Sequence, residues 1–133
     1  MSRENIFPPA LSKRVVSGHV LYAPVVRVHN AGTLIFVSGL LARNVAGEIV
    51  GRGDMAAQIE QIGQNLSAAL ESAGASLAHL VKTNTYVTDI DEFFKHAAVR
   101  MKYFAALPTS TTVEVRRLSH PDFMVEIDAI AAL

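Results

Sequence analysis

Residues 108–133, PTSTTVEVRRLSHPDFMVEIDAIAAL, contain two β-patterned runs joined by a polar turn, and their pattern decides how the rest of the chain must pack. From Phe123 onward the side chains alternate. Phe123, Val125, Ile127 and Ala129 fall on one face of a strand, and Met124, Glu126, Asp128 and Ile130 on the other. The first set makes a core face. The second carries two carboxylates at i and i+2 in a run otherwise too apolar to be a solvated edge. Glu126 and Asp128 must therefore be paired, hydrogen-bonded or turned toward a cavity, and Glu126 is the first candidate for chemistry.

The whole chain has 133 residues, half of them apolar, which fits one globular domain over residues 1–133 with a core of its own. Twelve basic and twelve acidic side chains cancel, so no overall field draws the protein to nucleic acid or to an anionic membrane, and neither partner is expected. The absence of cysteine removes disulfides, thiolate metal sites and a cysteine nucleophile. The opening MSRENIFPPA has no apolar run of signal-peptide length and no later stretch approaches membrane-spanning length, so a cytoplasmic protein is expected. The five histidines show no HExxH or paired metal spacing, and no glycine cluster forms GxGxxG or a P-loop. Neither a metal nor a cofactor is expected.

Outward from the C-terminal strands, residues 1–13 are polar, carry Pro8 and Pro9, and read as a lead-in arm. Residues 14–16 and 20–28 read as short strands broken by Gly18 and Pro24, with a turn at 30–32. Leu34 to Val37 is apolar on both faces and stops at Ser38-Gly39, the pattern of a central strand that emerges into a loop. Residues 41–53, with three glycines, read as loop or hairpin. Asp54 is placed to cap a helix whose apolar stripe is Ile59, Ile62, Leu66, Ala69, Leu70 and Ala73, ended by Gly74. Residues 81–88 alternate as a strand rich in β-branched side chains. Asp89 or Asp91 then caps a second helix with the stripe Phe94, Ala97, Met101 and Phe104, closed by Leu107-Pro108.

The expected architecture is α+β, a mixed β-sheet with two helices packed on one face. The opposite face would show Lys82, Asn84, Tyr86, Met124, Glu126, Asp128 and Ile130, a half-apolar surface suited to an oligomer interface. Three stretches give this pattern a family likeness: FVSG at 36–39, ESAGASLAHLVKTNTYVTDIDEF at 71–93 after the Asp54-capped helix, and TTVEVRRL at 111–118 with VEIDAIA at 125–131. With these the chain resembles the RidA/YjgF (Rid) family, also called the L-PSP endoribonuclease family. The resemblance implies a chorismate-mutase-like fold and a homotrimer with small-molecule sites in three clefts between subunits. It also implies hydrolysis of reactive enamine or imine intermediates such as 2-aminoacrylate to a keto acid and ammonia.

The resemblance distributes the site residues unevenly. Ser38 and Gly39 match the Ser-Gly pair that lines the family cleft, and Glu126 matches the glutamate that places or activates water. In the active deaminases an arginine stands two residues after the proline that precedes the penultimate strand, where its fork grips the substrate carboxylate. Here Pro108-Thr109 is followed by Ser110. The tyrosine of the N-terminal Pro-Tyr pair is replaced by Val25, with Tyr22 nearby but out of register, and the asparagine of the second helix by Ala97. A guanidinium gives a carboxylate two charge-assisted donors and a serine gives one neutral donor, so the exchange weakens an anionic substrate about tenfold or more. Arg100, Arg116 and Arg117 are the substitute cations on offer, but Arg116 and Arg117 read as opposite faces of one strand and Arg100 as a helix surface.

Each candidate has a plainer reading. Glu126 can equally pair with Lys82 or an arginine of a neighbouring chain. Ser38 shapes a strand end more readily than it acts as a nucleophile, because no His-Asp pair at a recognisable spacing supports it. Ser110, Thr111 and Thr112 are either a β-branched strand entry or hydroxyls that hydrogen-bond a polar ligand. The leading expectation is a Rid-family hydrolase acting on an imine, enamine or related metabolite, with ordinary 2-aminoacrylate turnover weakened. The alternative is a non-catalytic trimer that binds a small metabolite between subunits. A ribonuclease is a distant third, since neither charge nor any basic and aromatic cluster supports one.

Overall fold

The structure is a computed structural model that describes residues 1–133. Its central helix, α1 (Met55–Ser72), forms where the sequence supplies both its stripe and its ends. Asp54 sits in extended backbone and its carboxylate accepts from the Ala57 N–H at 3.0 Å. Ile59, Ile62, Leu66 and Leu70 are buried, and Gly74 takes the left-handed conformation (φ 80°) that ends the helix. The buried face of α1 packs on a four-stranded sheet in the order β3 (Leu34–Leu40), β6 (Val125–Ala132), β4 (Leu80–Val87), β5 (Thr109–Glu114). β4 and β5 run parallel, and the other two pairings are antiparallel. The two C-terminal strands are therefore not a hairpin, because β4 lies between them. Val125, Ile127, Ala129 and Ala131 of β6 are buried toward the helices, so the alternation read from the sequence is the alternation of the fold.

One polar side chain is built into this core. Gln58 is fully buried in α1, donates to the carbonyls of Gly51 (3.0 Å) and Asp122 (2.8 Å), and accepts from the Met124 N–H (2.9 Å). It thereby fixes the segment leading into β6 with every polar group satisfied.

Several expectations change. The polar arm contains a strand, β1 (Ser2–Ile6), paired antiparallel with β2 (Val25–His29) as a separate two-stranded sheet. Polar ties rather than apolar burial hold it there: Arg3 donates to the carbonyls of Ala78 and Ala106, each at 3.0 Å, and both carboxylate oxygens of Glu4 accept from Arg27 Nη2. Residues 14–16 form no strand, only a bridge between Val16 and His19. β3 is an edge of its sheet and not a centre. Its outward Leu34 and Phe36 remain 58% and 71% exposed in the single chain, so the apolar character on both faces leaves an apolar surface at the sheet edge.

The second helix is two short helices, α2 (Ile90–Phe94), capped by Asp89, and α3 (Ala97–Tyr103), with Lys95-His96 between them. The buried stripe keeps Ala97 and Phe104 and differs from the expected one at its other two positions. It runs Phe93, Ala97, Arg100, Phe104, so an arginine stands where the apolar pattern puts Met101. No helix is long and apolar enough to cross a membrane.

Candidate active site

The pairing of β3 with β6 slips between Val37 and Leu40, which puts Ser38 and Gly39 in a β-bulge at the strand edge. The bulge lies against Glu126. A Cβ added to Gly39 would come within 3.0 Å of the Glu126 Cδ and 3.1 Å of its Oε1, so a larger residue there would press on that carboxyl group and shift it by a few tenths of an ångström. Glu126 is half-buried and forms no ion pair within the chain. Lys82 lies opposite Ile130, four residues along β6 from Glu126, so it does not pair with Glu126 within the chain.

The second carboxylate of the strand is accounted for locally. Asp128 accepts from the Asn84 side-chain amide at 3.0 Å and from the Tyr86 hydroxyl at 3.3 Å across the β4–β6 pair. The Asp128 charge, then burial, the hydrogen bond and the Glu126 charge push the Tyr86 phenol above its ordinary range, so it stays a donor at neutral pH. Of the two carboxylates, Glu126 is the one available to a ligand.

The hydroxyl run of β5 divides between the two faces of the sheet. Thr111 aligns with Asn84 and Asp128 on the outer face that also carries Glu126, whereas Ser110 and Thr112 align with the buried Thr83 and Thr85 and face the helices. There they line a cavity of about 280 Å³ with Tyr22, Arg14 and Arg100. Val25 lies exposed on β2 and Ala97 is buried at the start of α3, and neither borders this cavity. One chain therefore does not bring the sequence-derived candidates together: Ser38, Gly39, Thr111 and Glu126 share one side, Ser110 and Thr112 the other.

Arg100 and Tyr22, named in the sequence and set aside there as a helix surface and as out of register, both line this cavity, and Arg14 is the lining residue that sequence reasoning missed. Arg100 is 9% exposed, its guanidinium stacks over the Phe93 ring at 4.3 Å, and its Nη1 is the one buried side-chain nitrogen or oxygen without a hydrogen-bond partner. Burial, followed by the nearby charge of Arg14, pushes its pKa down to about 10. It is still cationic at neutral pH. The available signal was the spacing from Phe93 rather than Phe94. Arg116 and Arg117, read as opposite strand faces, lie beyond the end of β5 and border one open hollow together with His120.

Comparison with known proteins agrees with this geometry. Residues 17–133 match the family described as Endoribonuclease L-PSP. A RutC family protein of Pyrococcus abyssi is 35% identical over 133 residues, 98% of each chain. The 2-iminobutanoate/2-iminopropanoate deaminase of Escherichia coli is 35% identical over 113 residues, 81% of this chain and 86% of that one. The Rid family protein YyfB of Yersinia pestis, described as of unknown function, superposes over the full length of both chains with a TM-score of 0.83 and 29% identity. The mixed sheet, the bulge at Ser38-Gly39 and these matches together make the chain a member of the L-PSP endoribonuclease family, the Rid/YjgF family.

Proposed function

We propose that the chain assembles as a homotrimer and hydrolyses an imine or enamine of a small metabolite in a cleft shared by neighbouring chains, with Glu126 orienting the attacking water. In this reaction water adds to the C=N carbon, the nitrogen gains protons, and the tetrahedral adduct collapses to a carbonyl and ammonia. A carboxylate in the position of Glu126 accepts a proton from the water as the C–O bond forms and returns it to the departing amine. The observation that carries this reading is the unpaired Glu126 carboxylate lying against the Gly39 bulge. The similarity to a deaminase of imino acids supports it.

Assembly is supported by the exposed apolar side chains of β3 and by the division of candidate residues between two faces, which only a second chain can bring into one cleft. The replacement of the arginine at Ser110 favours the second reading, a trimer that binds a metabolite without turning it over. The two separate in one assay. Imines made in situ by oxidation of a panel of amino acids should release ammonia faster than the solvent background, and Glu126→Ala should lower the rate by about a hundredfold or more while the fold survives. Turnover of 2-aminoacrylate should be weak beside that of a family member with the arginine. No acceleration with any imine would leave the binding reading in its place.

A further inference from the structure

The cavity over Arg100 has an unusual charge balance. Its polar lining is two guanidinium groups, Arg100 and Arg14, and three hydroxyls, Tyr22, Ser110 and Thr112, with no carboxylate among its lining residues. Neither arginine forms an ion pair or side-chain hydrogen bond elsewhere in the chain. The chain's formal charge of zero already counts both cations, and the buried one, Arg100, has no ionic partner in the chain, which is costly unless something anionic joins it.

The two cations are also arranged in depth. Arg100 is buried, whereas Arg14 is exposed at the rim with its guanidinium 4.9 Å over the Phe94 ring. The Phe93 and Phe94 rings on which they stack have centroids 6.1 Å apart, and the two charges are near enough for Arg14 to lower the Arg100 pKa. Between floor and rim the wall is apolar, formed by Val16, Leu21, Ile90 and Phe94. Anion-binding groups at both ends of a short apolar channel match a molecule charged at both ends and apolar between. The volume of about 280 Å³ holds a small metabolite and no more.

We propose that this cavity binds a small organic dianion, an α,ω-dicarboxylate, with one carboxylate on Arg100, Ser110 and Thr112 at the floor and the other on Arg14 at the rim. Arg100 then supplies from a helix the charge that Ser110 lacks on its strand. The binding claim stands whether or not Glu126 turns the ligand over. A corollary rests on the hydrolase reading: the imine hydrolysed here carries a second carboxylate.

The alternative is that Arg100 is structural, held by its stacking on Phe93. The two accounts predict opposite effects of Arg100→Met, which keeps length and apolar packing and removes the charge. As a binding residue, Arg100 is a burden in the free protein, so Arg100→Met should melt a few degrees higher without ligand. A structural Arg100 would make the variant melt lower.

The test is thermal melting and calorimetric titration of the full chain with succinate, glutarate, propionate, inorganic phosphate and neutral succinamide. The dicarboxylates should raise the melting temperature of the wild type and propionate should bind about tenfold or more weakly. Arg100→Met should abolish the shift, and Arg14→Gln should weaken succinate about two- to fivefold with the gap closing at high salt. Binding of phosphate alone, equal binding of succinate and propionate, or a succinate shift that persists in Arg100→Met would each overturn the proposal, as would the absence of any shift. Dicarboxylate binding without ammonia release would leave the pocket standing and remove the hydrolase reading. Imine turnover without dicarboxylate binding would do the reverse.

Discussion

At the scale of single residues, the site is governed by where charge is left without a partner. Asp128 accepts from Asn84 and Tyr86 through both of its oxygens, while Glu126 on the same face and Arg100 on the opposite one are each unpaired. This makes Ser110→Arg informative. On the sequence alone the substitution restores the family's carboxylate grip, but Ser110 shares its cavity with Arg14 and Arg100, so the new side chain is a third cation in a hollow with no acid. We expect a folded protein less stable by about 1–3 kcal/mol in denaturant titration, with little gain in 2-aminoacrylate turnover. Recovery of family-level turnover would show that the cleft lacks nothing but that one charge. Arg100 was not legible as a cavity residue because an arginine on a helix reads as solvated, although it shares a helical face with Ala97 and Phe104. The Lys95-His96 break was not legible either, because no proline or glycine announces it.

Among the elements, those whose signals are local were legible and those held by distant contacts were not. β6 and α1 could be drawn from alternation, stripe and caps, and the structure keeps Asp54, Gly74 and the buried face of β6 where those signals put them. β1 could not, because its anchors are carbonyls about a hundred residues away that Arg3 and Asn5 reach. Gly63 is another long-range case. In the middle of α1 a glycine reads as a propensity cost of about 1 kcal/mol relative to alanine, yet the Tyr103 ring of α3 lies where a Cβ would be, at 2.4 Å. Gly63→Ala is therefore expected to lower stability by about 1–3 kcal/mol despite its better helix propensity, because the overlap outweighs the backbone gain. Unchanged or increased stability in urea unfolding would mean that α3 moves aside freely.

For the whole molecule, the exposed Leu34 and Phe36, the half-apolar outer face and the separation of Glu126 from Ser110 all concern what lies beyond one chain. A closed ring joins one patch of a chain to a different patch of its neighbour, the arrangement that brings residues from two faces into one cleft. Sedimentation should accordingly give three chains, and a stable monomer at micromolar concentration would remove the basis for a shared site. The most direct measurement mixes two disabled proteins. Glu126→Ala and Arg100→Met, each defective alone in ammonia release from an imino dicarboxylate, are unfolded together, refolded at equal amounts and assayed beside the wild type. If each cleft takes Glu126 from one chain and the Arg100 cavity from the next, random assembly leaves about a quarter of the clefts intact and about a quarter of wild-type activity returns. A mixture as inactive as its components, beside an active wild type, would contradict a cleft built from two chains.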